Sequence, residues 1–374
     1  MTKHNRLSLT VTWLQTASGG AERSTVELCR VIAEDYPADV SLHFLSYSGD
    51  TSRVDFDGLR RSGVRTHWHT TVPDYSSGLS QDIELSRSSH LLSSYRAFNV
   101  DIPIALAQSC SVSVIFRQTP KTGLAVRAIA SSLAFEPATT RWDDMDWGLL
   151  SLAKNVVAVS DFTLAGLARF VSPERLRRIY NGVPLPPARD RTLHRKKPVF
   201  ALVSRLVDWK RVDLAIEAFA EVQKVVPGAQ LLVAGDGPER RSITDLIARF
   251  KLEPSVRLLG HVRDVAHVYR SADYLLHTCT MESFGRSVAE AAAYGVPGIV
   301  PSGGGPAEIV EHGHSGFVFA SGDARGCAAA MIKACGLSQH VYNELCRNAR
   351  TRTETHFSNV VCAKHYWEMI TAAT

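Results

Sequence analysis

The sequence predicts an α/β protein made of two doubly wound domains. Its 374 residues are more than one hydrophobic core usually organises. In both halves, short apolar runs typical of strands alternate with segments of helical periodicity, a pattern that predicts parallel sheets covered by helices. A proline-rich and then basic stretch separates the two series. We therefore expect a first domain at 1–184, a linker at 185–198 and a second domain at 199–354.

The first half opens with a segment of period two, 7–11, in which Ser8 and Thr10 separate apolar residues. This alternation favours a strand over the apolar core of a signal peptide. Farther along, Ser160 with Asp161 predicts the start of a helix. The other strands expected here are 40–47, 64–69, 102–107, 125–130 and 155–159, and the helices are 21–33 and 81–98.

The second half repeats the alternation of strands and helices. Its expected strands are 199–203, 230–234, 256–259, 274–277 and 296–300, and its expected helices are 212–225 and 240–250. A further helix is expected to begin near Ser283 and to be stopped by Gly295 and Pro297. The final stretch, about 355–374, holds an amphipathic helix that could pack back on the first domain.

The composition argues against several classes of function. The net charge of +5 is small, and neither half carries a basic tail, so nucleic acid is not an expected partner. Every apolar run is shorter than the ~18 residues that a membrane span needs. The seven cysteines include no Cys-x-x-Cys pair. They argue against a disulfide framework or a zinc site and fit a reducing cytoplasm.

Two loops have residues suited to a bound anion. Gly19 and Gly20 lie between the first strand and the first helix, where backbone amides and the helix N-terminus favour negative charge. The alternative is a plain tight turn. Arg205 and Lys210 follow the first strand of the second domain and could grip a diphosphate. The alternative for these two is a solvated surface pair.

The stretch from Glu282 to Glu290 carries the most information. The amides of Phe284, Gly285 and Arg286 would be free donors at a helix start. Glu282 stands just before them, where it could accept hydrogen bonds from sugar hydroxyls. Two other interpretations remain open: Arg286 and Glu290, four residues apart, could form an ordinary ion pair, and Glu282 could only cap the helix.

In order and spacing, these motifs resemble the retaining GT-B glycosyltransferases of family 4, the glycosyl transferases of group 1. The similarity covers nearly the whole chain and is densest from Val199 to Phe319. It is carried by Ser-Gly-Gly-Ala-Glu-Arg at 18–23, Tyr-Asn-Gly-Val at 180–183, Ser-Arg-Leu at 204–206 with Lys210, Ala-Gly-Asp-Gly-Pro at 234–238, Glu282 with Glu290, and Gly-Gly-Gly-Pro-Ala-Glu at 303–308. The resemblance implies two Rossmann-like domains that face each other across a cleft.

The resemblance also implies roles for individual residues. Arg205 and Lys210 would neutralise the diphosphate of a nucleotide-sugar donor, and Glu282 would hold hydroxyls of the donor sugar. Glu290 would bind the ribose. Donor contacts are implied for Gly19, Gly20, Gly260, His261, Val262, Ser283, Phe284, Gly285, Arg286 and Glu290. The chain departs from the family at 130–135, where many relatives have a histidine and this sequence has none.

The expected activity is retaining transfer of a sugar to a hydroxyl acceptor, such as a glycan, a lipid-linked sugar or a small metabolite. A UDP-sugar is favoured as donor and a GDP-sugar is the second choice. No cofactor and no metal ion are expected. The protein is expected in the cytoplasm, and Arg117, Lys121 and Arg127 would permit transient contact with the inner membrane face. Two alternatives are an epimerase or phosphorylase of similar fold and a non-catalytic subunit that binds sugar nucleotides.

Overall fold

The computed structural model describes residues 7–15, 20–46, 56–70, 112–118, 125–129, 132–136, 155–168, 171–188 and 197–372. The chain divides into two compact units, Met1–Gly182 with Asn359–Thr374, and Val183–Ser358. The helix expected at 81–98 and the strand expected at 102–107 lie outside the described residues. None of the described helices is long and apolar enough to cross a membrane.

Strands and helices alternate in both units. The strands are β1 Leu7–Gln15, β2 Ala38–Ser46, β3 Arg65–Thr70, β4 Val112–Gln118, β5 Ala125–Ile129, β6 Ser132–Glu136, β7 Asn155–Ala158, β8 Leu176–Arg178, β9 Val199–Val203, β10 Gln230–Ala234, β11 Val256–Gly260, β12 Tyr274–Leu276, β13 Gly298–Pro301 and β14 Gly316–Phe319. The α-helices are α1 Gly20–Asp35, α2 Phe56–Arg61, α3 Asp161–Leu167, α4 Val212–Val225, α5 Arg240–Arg249, α6 Ala266–Ser271, α7 Arg286–Ala293, α8 Pro306–Ile309, α9 Ala324–Cys335, α10 Gln339–His356 and α11 Asn359–Ala372.

The sheet of the first unit is mixed rather than parallel throughout, which corrects the sequence prediction. Its order is β3-β2-β1-β4-β5-β6-β7-β8, and β5 runs antiparallel to both β4 and β6. Only 119–124 and 130–131 connect these three strands. A parallel connection needs a crossover of about a dozen residues or more, so such short links require hairpins. The segment 132–136, for which the sequence predicted no element, is strand β6.

Two local predictions in the first unit are confirmed. Ser160 caps α3: its hydroxyl accepts from the Thr163 amide at 3.0 Å, and the Thr163 hydroxyl accepts from the Ser160 amide at 3.1 Å. The end of the chain forms α11, whose Tyr366 and Ile370 are buried in one hydrophobic cluster with Leu28 of α1. The final helix therefore packs on the first unit, after the whole of the second unit has been traversed.

The sheet of the second unit is parallel, with the order β11-β10-β9-β12-β13-β14. From β9 the chain builds outward through β10 and β11, and it then returns to place β12 on the other side of β9. Buried aromatic side chains join the sheet to its helices, with Phe200, Phe219 and Tyr274 in one cluster. This order makes β9 and β12 the pair at which the direction of winding reverses.

Candidate functional site

The reversal between β9 and β12 fixes where a ligand can enter the second unit. In a doubly wound sheet, the connections on the two sides of such a pair diverge and open a crevice beyond the carboxyl ends of the strands. The chain places 204–210 directly after β9 and 277–282 directly after β12. Lys210, His277, Cys279 and Glu282 all lie in these two segments. We call these four residues the switch-point cluster.

The segment after β9 is held against the segment after β10. The Ser204 amide donates to the carbonyl of Ala234 at 3.0 Å, and the Leu206 amide donates to the carbonyl of Asp236 at 2.9 Å. Gly235 makes this approach feasible, because its φ is +145° and a Cβ there would lie 1.7 Å from the Ser204 carbonyl oxygen. The glycine thereby fixes the backbone immediately before Arg205.

The Lys210 side chain lies inside the cluster and is mostly buried. It ends a short 3₁₀ turn, Asp208–Lys210, and the next residue, Arg211, adopts the left-handed conformation at φ 52°. The Lys210 carbonyl accepts a hydrogen bond from the Thr278 hydroxyl at 3.0 Å, which ties the two segments together. The Lys210 ammonium contacts the Glu282 carboxylate, and these side chains are only 15% and 22% exposed. The solvated-pair interpretation of Lys210 is therefore wrong.

The Lys210–Glu282 pair is ionised because attraction outweighs burial. Burial by itself lowers the pKa of Lys210 and raises the pKa of Glu282. The Coulomb attraction between them opposes both effects, and the net pKa is raised for Lys210 and lowered for Glu282. The cluster thus holds an opposite-charge pair at neutral pH.

His277 and Cys279 complete the cluster, and the sequence analysis missed both. His277 is 4% exposed, and its Nε2 lies 3.8 Å from Oε2 of Glu282. Burial and the nearby Lys210 lower the pKa of His277 to about 4, against the opposing effect of Glu282. Burial also raises the pKa of the Cys279 thiol. Both side chains are therefore neutral at pH 7.

Stability should depend on pH through His277. The pKa of about 4 in the fold lies below the ordinary value of 6.5, so the unfolded chain binds the proton more readily between these values. The stabilisation that comes from keeping His277 neutral in the fold is complete above pH 6.5, and it is lost as the pH falls toward 4. We expect the wild-type free energy of unfolding to fall by about 2 kcal/mol more between pH 7 and pH 5 than that of His277→Gln.

Urea denaturation of the two proteins at each pH measures this difference. Comparing changes with pH, rather than absolute stabilities, removes the packing cost of the substitution. Parallel pH dependences of the two proteins would contradict the buried, neutral state of His277.

Arg205 lies at the exposed edge of the cluster. Its guanidinium is close enough to oppose the charge on Lys210 and to favour the charge on Glu282. The guanidinium carbon lies 5.6 Å from the ring centroid of Trp209, whose side chain is half exposed. The structure thus brings together the three residues predicted to act on a donor: Arg205, Lys210 and Glu282.

The helix start predicted near Ser283 is wrong by three residues. Helix α7 begins at Arg286, with Gly285 as its N-cap at φ +92°. The amides of Phe284 and Gly285 therefore precede the helix and are not donors of its first turn. Ser283 and Phe284 are buried, and the Phe284 ring packs edge-on against Phe357 at 5.9 Å. A turn that needs positive φ displaced the start, which apolar periodicity cannot register.

Glu282 does not cap this helix. Its carbonyl accepts from the Gly305 amide at 2.8 Å, and its carboxylate turns to Lys210. The ion pair between Arg286 and Glu290, left open by the sequence, is present at 2.7 Å. The Tyr269 hydroxyl donates to the other Glu290 oxygen at 2.9 Å. Glu290 is therefore anchored on one face of α7.

The remaining residues predicted to contact the donor belong to both units. Gly260 lies at the same sheet edge, where its carbonyl accepts from the Gly235 amide at 2.8 Å, and His261 beside it is exposed. Val262 is half-buried. In the first unit, Gly20 is the first residue of α1, whereas Gly19 lies outside the described residues.

The structure describes the backbone of two of the three residues named for contact with a membrane. Arg117 lies in β4 and Arg127 lies in β5. Lys121 is outside the described residues.

Residues 188–352 match the family model described as glycosyl transferases group 1. This matching part, which we call the group 1 segment, is a little under half of the chain. The group 1 segment contains both the six-stranded sheet and the switch-point cluster. The family prediction made from the spaced motifs is thereby confirmed.

Curated relatives match parts of the chain. N-acetyl-alpha-D-glucosaminyl L-malate synthase of Bacillus anthracis is 38% identical over 124 residues, which cover 33% of this chain and 32% of the relative. GDP-mannose-dependent alpha-mannosyltransferase of Mycolicibacterium smegmatis is 31% identical over 182 residues, covering 46% of this chain and 45% of the relative. The chain therefore spans about a third to a half of the length of these curated relatives.

A solved structure shares the fold over almost the entire chain. Anabaena HepE, in complex with UDP and glucose, is 18% identical and matches with a TM-score of 0.69. The match covers 96% of this chain and 99% of the Anabaena protein. The predicted fold class, the GT-B type of α/β protein, is confirmed.

Proposed function

We propose that the protein is a retaining glycosyltransferase that moves a sugar from a nucleotide diphosphate sugar to a hydroxyl acceptor. The switch-point cluster carries this proposal. A buried, charged pair, Lys210 and Glu282, lies beyond the carboxyl ends of β9 and β12, with Arg205 at its exposed edge. Cations and a carboxylate side by side suit a substrate with a diphosphate next to a ring of hydroxyls.

Arg205, Lys210 and Glu282 each have a role in the proposed reaction. As the bond from sugar to diphosphate breaks, negative charge builds up on the leaving phosphate. The cations of Arg205 and Lys210 stabilise that charge. Glu282 accepts hydrogen bonds from sugar hydroxyls once Lys210 has turned to the phosphate. The acceptor hydroxyl attacks from the face that the diphosphate leaves, and a phosphate oxygen takes its proton, so the anomeric configuration is retained.

The donor we favour is a UDP-sugar, with a GDP-sugar as the second choice. The Anabaena protein of the same fold binds UDP and glucose, whereas the Mycolicibacterium relative is named for GDP-mannose. Gly260, His261 and Val262 would contact the base, Glu290 the ribose, and the loop of Gly19 and Gly20 the phosphate. The acceptor would be a glycan, a lipid-linked sugar or a small metabolite, met in the cytoplasm or at the inner membrane face.

The proposal needs no metal ion for turnover, because Arg205 and Lys210 supply the positive charge. The test is a product analysis of the full chain with UDP- and GDP-sugars and a panel of hydroxyl acceptors, with and without EDTA. We expect acceptor-dependent release of the nucleoside diphosphate and an unchanged rate in EDTA. The product should keep the anomeric configuration of the donor by NMR.

Three outcomes would contradict the proposal. Conversion of the donor sugar without an acceptor would indicate an epimerase. Donor binding without transfer or hydrolysis would indicate a non-catalytic subunit. Loss of turnover in EDTA, restored by a divalent cation, would refute independence from metal.

A further inference from the structure

Three potential metal ligands meet inside the switch-point cluster. A ring nitrogen of His277, Sγ of Cys279 and a carboxylate oxygen of Glu282 all lie within 4.8 Å of one another. Imidazole, thiolate and carboxylate are the three ligand types that Zn²⁺ takes in proteins. Zinc bonds of about 2.0–2.3 Å in a tetrahedron keep ligand atoms about 3.3–3.8 Å apart. The observed His277–Glu282 separation of 3.8 Å already meets that requirement.

The state of His277 independently indicates a missing partner. Its side chain is 5% exposed, and Nε2 has no hydrogen-bond partner within the part of the chain that the structure describes. A buried polar atom without a partner destabilises the fold. The atom faces the Glu282 carboxylate, so a cation between the two would satisfy it.

We propose that His277, Cys279 and Glu282 form an inhibitory site for a thiophilic divalent cation, of which Zn²⁺ is the expected ion. Cysteine favours zinc over the harder magnesium ion, which prefers oxygen ligands. A solvent water completes the tetrahedron. The absence of a Cys-x-x-Cys pair in the sequence argued against a zinc site, but the fold brings these three side chains together.

Zinc and Lys210 compete for one carboxylate. Without metal, the Lys210 ammonium neutralises Glu282. When zinc binds, the Cys279 thiol releases its proton to solvent and forms a sulfur–zinc bond. The thiolate and the carboxylate together balance the charge of the ion, and the ammonium is displaced. The 22% exposure of Glu282, against 1% for Cys279, indicates entry from the Glu282 side.

This competition makes the metal an inhibitor, and here the inference rests on the proposed function. A zinc-bound cluster removes Glu282 from the donor sugar and Lys210 from its position on the diphosphate. Donor and zinc should therefore exclude each other.

A cobalt titration tests the site without reference to activity. Co²⁺ is a spectroscopic substitute for Zn²⁺, and cysteine ligation gives a thiolate-to-cobalt absorption band. We expect a band that saturates at one ion per chain, is lost in Cys279→Ser and is displaced by Zn²⁺. The control is Cys335→Ala, because this cysteine is also buried but lies in the core of the same unit. Its band should equal that of the wild type.

The Lys210→Met variant tests directly whether the metal and the Lys210 ammonium compete for Glu282. Removing the competing ammonium should tighten cobalt binding by about tenfold or more. Zinc should inhibit sugar transfer by the wild type, and Cys279→Ser should need about tenfold more zinc for the same fractional loss of its own zinc-free rate.

Absence of a thiolate band, or a band that survives Cys279→Ser, would overturn the metal site. Weaker cobalt binding by Lys210→Met would overturn the competition. Cobalt binding by a chain that transfers no sugar from any donor would support the site and count against the proposed function instead.

Discussion

Replacing Lys210 with methionine should slow sugar transfer by about a hundred- to a thousandfold, which corresponds to about 3–4 kcal/mol of transition-state stabilisation. The ammonium lies next to Arg205 and Glu282 at the reversal between β9 and β12. In the proposed reaction the ammonium meets the charge that the diphosphate already carries and the further charge that develops as it leaves. Both donor affinity and turnover should therefore fall.

The same substitution also affects stability, and the two effects must be separated. Lys210→Met leaves Glu282 as an unpaired buried charge, which costs about 3–5 kcal/mol where burial is complete. The double variant Lys210→Met with Glu282→Gln removes both charges. We expect urea denaturation to show stability recovered in the double variant, while steady-state kinetics show the rate still lost. Full turnover in a folded Lys210→Met protein would refute the role of this lysine.

Replacing Gly235 with alanine should destabilise the second unit by more than about 3 kcal/mol. The added Cβ would meet the Ser204 carbonyl oxygen at 1.7 Å, a backbone atom that no side-chain rotation can move away. The φ of +145° adds strain for any residue other than glycine. Relief requires the segment after β9 to shift, which moves Arg205, so activity should fall together with the urea midpoint.

Gly322→Ala is the matched control for Gly235→Ala. Gly322 also has positive φ, +79°, but a Cβ there meets nothing within 4 Å. Gly322→Ala should therefore lower the free energy of unfolding by about 1–2 kcal/mol, the strain of a positive φ, and leave the transfer rate unchanged. Equal losses of stability in the two variants would show that the close approach to Ser204 is not what requires Gly235.

The second unit was predictable from sequence because its organisation is local and repetitive. Buried parallel strands read as short apolar runs, and the spacing of motifs such as 234–238 placed the loops after them. Ser160 as a helix cap was predictable for the same reason, since a cap depends on residues three apart. Arg205 and Lys210 were noticed because they follow the first strand of this series, and Glu282 because it precedes a predicted helix start. The resemblance to group 1 glycosyltransferases implied their roles toward a donor.

Features that depend on pairing between distant segments could not be read in this way. The direction of β5 follows from the lengths of its connections and from which strand ends lie side by side. The start of α7 is set by a left-handed glycine packed against Pro306, 21 residues farther along by the difference of their numbers. His277 and Cys279 gave one usable signal, as polar residues at the carboxyl end of an apolar strand, and it was overlooked.

By itself, the sequence determined the α/β class and the alternation of elements, because both follow from periodicity. Its spaced motifs also predicted which residues would meet a diphosphate. Only the tertiary structure decided that Lys210 and Glu282, 72 positions apart, neutralise each other. It also decided that His277 and Cys279 lie beside them. The physical reason is that burial and Coulomb attraction act through space, so the charge state of this cluster exists only once β9 and β12 lie next to each other.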